Sequence, residues 1–181
     1  MLNADSKVFD IVSVNPRMLL VLEHFGVLLG LGDQTVRDLC LANGLNEPLF
    51  LFIARLYCCP ENASIKTEQF DHRDARQILV FLKNSHGYFL NEKIPGLQSL
   101  LKQNLKSPSG KYTVLINKFL QDYSSEVYDH INYENDVVFP YIEALLNGQP
   151  EKFEYRTNSF KKHHTNIEDK LTDMKNLLFK H

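Results

Sequence analysis

His130 and Glu134 lie in the stretch YDHINYENDVVFPYI, from Tyr128 to Ile142. An imidazole and a carboxylate can hold a proton between them or share a metal ion, and a spacing of four stacks them on one helix face, one turn apart. Extended both ways, the pattern runs Ile116, Leu120, Tyr123, Val127, His130, Glu134, Val137, Tyr141, in alternating steps of four and three. That is the buried seam of a bundle helix. Two ionisable groups at its centre call for a chemical reason.

Two further seams raise the same question. From about 73 to 106, Ala75, Leu79, Leu82, His86, Leu90, Ile94, Leu97 and Leu101 share a face, with Pro95 expected to kink the helix. From about 152 to 180, Phe160, His164, Ile167, Leu171, Met174 and Leu178 do the same. Each seam holds a histidine, and one adds Glu134.

A lone seam histidine is more often a hydrogen-bonded core residue than a ligand. For His130 and Glu134 the plain alternative is an intrahelical hydrogen bond or a solvated pair, and the seam argues against solvation. A buried carboxylate costs several kcal/mol unless paired or metal-bound, and no Arg or Lys shares that face. Three histidines and a glutamate at similar depth therefore point to a metal site of His86, His130, Glu134 and His164. Mixed histidine and carboxylate donors in a helical bundle suit non-haem di-iron or di-manganese centres, in which a glutamate bridges, whereas structural zinc more often uses cysteine. His24, His72, His163 and His181 lack such context and read as surface or packing residues.

The elements that position these residues are helical throughout, with no convincing strand. Asn15-Pro16 opens RMLLVLEHF and Gly26 ends it; Asp33 is expected to cap TVRDLCLAN, which stops at Gly44; Asn46 caps EPLFLFIARLYCC and Pro60 closes it. Residues 1–60 thus form a short helical N-terminal module. Residues 61–72, polar and without a period, form a linker, and 73–181 carry the three long seams.

Composition excludes several classes. In 181 residues, 20 Lys and Arg face 22 Asp and Glu, with a pI near 6.4, so no general footprint for nucleic acid or an anionic membrane is present. No apolar run approaches the ~18 residues of a membrane span, and the N-terminus lacks a signal-peptide pattern; the chain reads as cytoplasmic. Three cysteines, Cys40 and the adjacent Cys58 and Cys59, do not suggest a disulfide framework. The sequon Asn62-Ala63-Ser64 is accidental in that compartment.

SHGYFLNEKIPGL, DHINYENDVVFPYIEALLNG and FKKHHTNIEDKLTDMKNLLFK resemble the first three helices of the hemerythrin-like cation-binding domains. Residues 7–58 are similar to the short helical domain that precedes such a domain in iron-sulfur-centre repair proteins. The resemblance covers nearly the whole chain and is closer still to hemerythrin-like regulators with a LuxR-type C-terminal domain. It implies an all-α fold with a four-helix bundle, here lacking its fourth helix, and iron as cofactor, di-iron in the complete domain. It also implies ligand roles for His86, His130, Glu134 and His164, with Glu134 bridging. Glu168 lies at the edge of its seam and stays outside the ligand set; His163 is the runner-up on the third helix.

Two departures qualify the resemblance. Where the repair proteins carry a vicinal cysteine pair, this chain has Leu28-Leu29-Gly30-Leu31-Gly32, which favours a sensor over a repair protein. The sequence also stops at His181 without a fourth helix, as in a truncated product of a longer regulator. An open bundle face is then expected to drive homodimerisation and to leave the iron site incomplete. The expected function is the sensory module of a regulator responding to oxygen, nitric oxide or iron status, touching DNA only through a domain beyond residue 181. The alternatives are an iron-sulfur-centre repair protein in nitrosative or oxidative stress and a metal-free helical interaction module.

Overall fold

A computed structural model describes residues 2–30, 32–58, 70–104 and 110–149, together with 172 and 176. Those residues are helical and connecting segments, with no strand among them; an isolated antiparallel bridge joins Lys7 and Thr35. The chain divides into two compact units, Met1–Ser85 and His86–His181. The third seam, with Phe160, His163, His164 and Glu168, lies outside the described residues, as do Cys59, Pro60, the sequon and His181. Thr172 and Asn176 are helical and exposed.

The first unit contains α1 (Val8–Val14), α2 (Met18–His24), α3 (Val36–Asn43), α4 (Glu47–Cys58) and the start of α5 (His72–Tyr88). α1 is an element the sequence reading passed over, because VFDIVSV is rich in β-branched residues, which are poor helix formers. It is anchored at its start, where Val8 donates its N–H to the Gln34 carbonyl and Val36 donates to that of Ser6. The cap of α3 is Thr35 rather than the expected Asp33. Thr35 and Asp38 form a reciprocal capping box, and the Asp33 carboxylate pairs with Lys7 instead. Gly44 ends α3 at φ 63°, a left-handed position that costs glycine nothing. The Asn46 side chain accepts from the Leu49 N–H, as its cap role requires. The core of this unit comprises Val8, Met18, Val21, Leu22, Val36, Leu39, Leu49 and Phe50, with Phe25 and Phe81 against Phe50 and Phe25 respectively.

In the second unit, α5 passes into a π-helical turn, Phe89–Lys93, and then α6 (Ile94–Asn104). α7 (Lys111–Tyr133) likewise passes into a π-helical turn, Glu134–Val138, and then α8 (Phe139–Leu146). Each π turn is followed two residues later by a proline, Pro95 and Pro140. A proline inside a helix has no N–H and clashes with the carbonyl four residues back; widening the turn to i→i+5 bonding relieves that clash. The Ile94 N–H goes to the Phe89 carbonyl and the Phe139 N–H to that of Glu134, a bond of that wider kind in each turn. Pro95 has no N–H for the next carbonyl in register, that of Leu90, and the Tyr128 hydroxyl donates there from α7 at 3.4 Å. Ile94, Val127 and Ile131 pack beside it with Leu90 and Tyr123. The kink expected at Pro95 is thus absorbed as a π turn.

The extra residue per turn also moves the second seam. Ile116, Leu120, Val127 and Glu134 are buried as expected, but from the end of the π turn on the buried positions are Val138, Phe139 and Ala144, while Val137 and Tyr141 are half-buried. A helix that adds a residue to one turn steps its apolar stripe on by one, and the 3.6-residue period stops predicting it there.

Candidate metal centre

His86 sits three residues before the first π turn and Glu134 is the first residue of the second. Both are buried, with 7% and 8% of their surface exposed. The His86 Nε2 lies 3.0 Å from Glu134 Oε2. His130, one turn before Glu134 in α7, places its Nε2 3.6 Å from Glu134 Oε1; this is an electrostatic contact, too long for a hydrogen bond. Two imidazoles thus face the two oxygens of one carboxylate. The other nitrogen of His86, Nδ1, is 2.9 Å from Asn135 Oδ1, and the ring stacks on Phe139 with centroids 5.2 Å apart and planes 13° from parallel.

With an oxygen at each ring nitrogen, His86 is fully satisfied as the imidazolium, donating both N–H groups. Burial opposes that charge, yet the hydrogen bonds to Glu134 and Asn135, with the Glu134 charge, outweigh it and hold the His86 pKa above its ordinary value. Glu134 thereby gains the partner that its own helix face does not supply as Arg or Lys.

The structure brings together three of the four residues singled out in the sequence; the fourth, His164, lies outside the described residues. As donors, two imidazole nitrogens and a carboxylate suit a borderline divalent ion such as iron. Their arrangement is closed: His86 and Glu134 are in direct contact, and among the described residues no group of three or more His, Cys, Asp or Glu surrounds a common point as a metal cage. The donor set therefore fits a metal by type, and the space between His86 and Glu134 is held by a proton.

Asn135 was missed in the sequence because the regular helical period turns it about 100° off the seam from Glu134. The signal that could have found it is Pro140, whose position announces a widened turn across residues 134–138. Of the two roles left open for His24, surface or packing, the structure gives packing: it is 1% exposed, edge-on to Phe81 and Tyr57 with centroids 5.1 and 6.3 Å away. Cys40 is buried, and burial, with the nearby Glu47 charge, pushes its thiol up to about 12, so it offers no reactive thiolate.

No helix among the described residues is long and apolar enough to cross a membrane. Comparison of the chain with protein-family models, with curated proteins and with solved structures finds no match.

Proposed function

We propose that the second unit is a hemerythrin-like helical bundle that binds non-haem iron and serves as the sensory part of a regulator responding to oxygen, nitric oxide or iron status. The observation that carries this reading is the convergence of His86 and His130, from separate helices, on the two oxygens of one buried carboxylate. The residue pattern that resembles the cation-binding domains supports it and would add His164 to the donors.

On this reading His86 and His130 are the nitrogen donors and Glu134 is the carboxylate able to bridge. Bound iron would supply a redox-active Lewis acid able to take up a diatomic ligand. The chain's own contribution is to keep the donors dry and oriented. Phe139 covers one face of the His86 ring, and Glu134 supplies negative charge where a cation replaces the proton between it and His86. His86 and Glu134 would have to part to hold iron, and a pair that can be closed or parted at the junction of α7 and its π turn would give the two packing states a sensor needs.

A second reading, a metal-free helical interaction module, is favoured by one observation: the His86–Glu134 pair is already closed and satisfied. Metal content and optical spectrum of protein purified without oxygen separate the two. The iron reading expects iron that is lost when His86, His130 and Glu134 are replaced together. Iron-free wild-type protein, or equal iron in the triple variant, overturns it.

A further inference from the structure

The His86 ring is gripped from three sides by one six-residue stretch. Glu134 meets Nε2, Asn135 meets Nδ1 and Phe139 lies on the ring face. Two neighbours at the start of the π turn, Glu134 and Asn135, thus reach the two nitrogens of one ring. An imidazole turned by half a revolution about its Cβ–Cγ bond exchanges each nitrogen for a carbon. Only when Nδ1 is on the Asn135 amide does Nε2 face Glu134.

We propose that Asn135 is the positioning residue for His86: its side-chain oxygen locks the ring rotation that directs Nε2 at Glu134. The inference rests on the iron reading for its purpose, since a ligating histidine is oriented by what its second nitrogen donates to, but the orientation itself belongs to the metal-free chain. An amide does this without adding a second negative charge beside Glu134. The competing role for Asn135 is a polar filler of the π turn, which any residue of similar size could take.

The test uses the full-length chain with ¹⁵N-labelled histidine, His86 signals being assigned by their loss in His86→Gln, followed by cobalt(II) titration of the same samples. In the wild type both His86 ring nitrogens should show hydrogen-bonded protons in slow exchange. Asn135→Leu should lose the Nδ1 proton signal and bind cobalt(II) about 10- to 100-fold more weakly. Asn135→Asp, which keeps an acceptor oxygen, should retain both. Should the leucine variant fail to fold, Asn135→Ala serves the same comparison. Unchanged His86 ring signals in the leucine or alanine variant overturn the inference whether or not metal binds, and so does unchanged cobalt affinity. Altered ring signals in a protein whose wild type binds no cobalt uphold the positioning role and overturn the iron reading alone.

Discussion

The Nε2 of His86, on α5, and the Oε2 of Glu134, at the end of α7, are 3.0 Å apart with both side chains at least nine-tenths buried. They join two segments 48 residues apart in the chain (134 − 86) through one buried pair. Removing either partner leaves the other desolvated without compensation, so single substitutions overstate what the pair contributes. A double-mutant cycle with His86→Gln and Glu134→Gln, followed by urea unfolding of metal-free protein, should give a coupling energy of about 1–3 kcal/mol. A coupling near zero would mean that the two side chains are neighbours without being partners.

Pro140→Ala should act on the site without touching it. The alanine restores an N–H at residue 140, allows regular i→i+4 bonding to Asp136 and removes the reason for the π turn. Closing that turn rotates Glu134 and Asn135 relative to Phe139 by about one residue, near 100°. Helicity by circular dichroism should hold or rise while the His86 ring ¹⁵N signals move. Unmoved signals would show that proline does not set the turn.

How much of this was legible beforehand follows the same line. Gly44, Asn46 and the seam residues Leu79, His86, Ile116, Leu120, Val127 and Glu134 could be read because a constant period and ordinary caps govern them. The phase fails at Val137, inside a turn with a different period, and at Tyr141 beyond it. Asn135 was invisible for the same reason. The Thr35 cap lost to Asp33 in the reading because both are good caps and the choice between them is tertiary: Lys7 engages Asp33. α1 was missed because its stability comes from burial of Val8 and not from helix propensity.

Thr35→Ala should destabilise the first unit by about 1 kcal/mol, the usual cost of losing an N-cap oxygen. The Asp38 N–H loses its acceptor, and the reciprocal bonds from Thr35 to the Asp38 carboxylate are broken or weakened. Thr35→Ser keeps the oxygen and should cost only a few tenths of a kcal/mol. Denaturant midpoints of the two variants check the order, and equal losses would remove the cap from the account.

His24 should make the first unit sensitive to acid. Burial lowers its pKa below the ordinary 6.5, against a smaller opposing effect of Glu23. The folded form therefore favours the neutral ring, and the unfolded chain binds more protons as pH falls below 6.5. The stability that His24 contributes is full above that pH and declines below it. Corrected for the intrinsic rate, which itself falls as pH falls, the hydrogen-exchange protection of the Leu22 and Phe50 amides in the whole chain should drop between pH 7 and 5, and His24→Phe should flatten that dependence. An equally steep dependence in the variant would assign the acid sensitivity elsewhere.

Calorimetry of wild-type and Glu134→Gln protein, with and without ferrous iron under anaerobic conditions, decides whether Glu134 is a metal ligand or only a buried acceptor. Glutamine keeps the size and an acceptor oxygen but loses the anionic donor. A ligand that binds only the folded state stabilises by mass action, about 2.7 kcal/mol at a hundredfold excess over Kd, which for a chain of this size raises the responding transition by roughly 5–10 °C. The wild type should show that rise and Glu134→Gln should lose it, with the metal-free variant still folded. An equal iron-dependent rise in both proteins, or none in the wild type, would contradict the ligand role of Glu134.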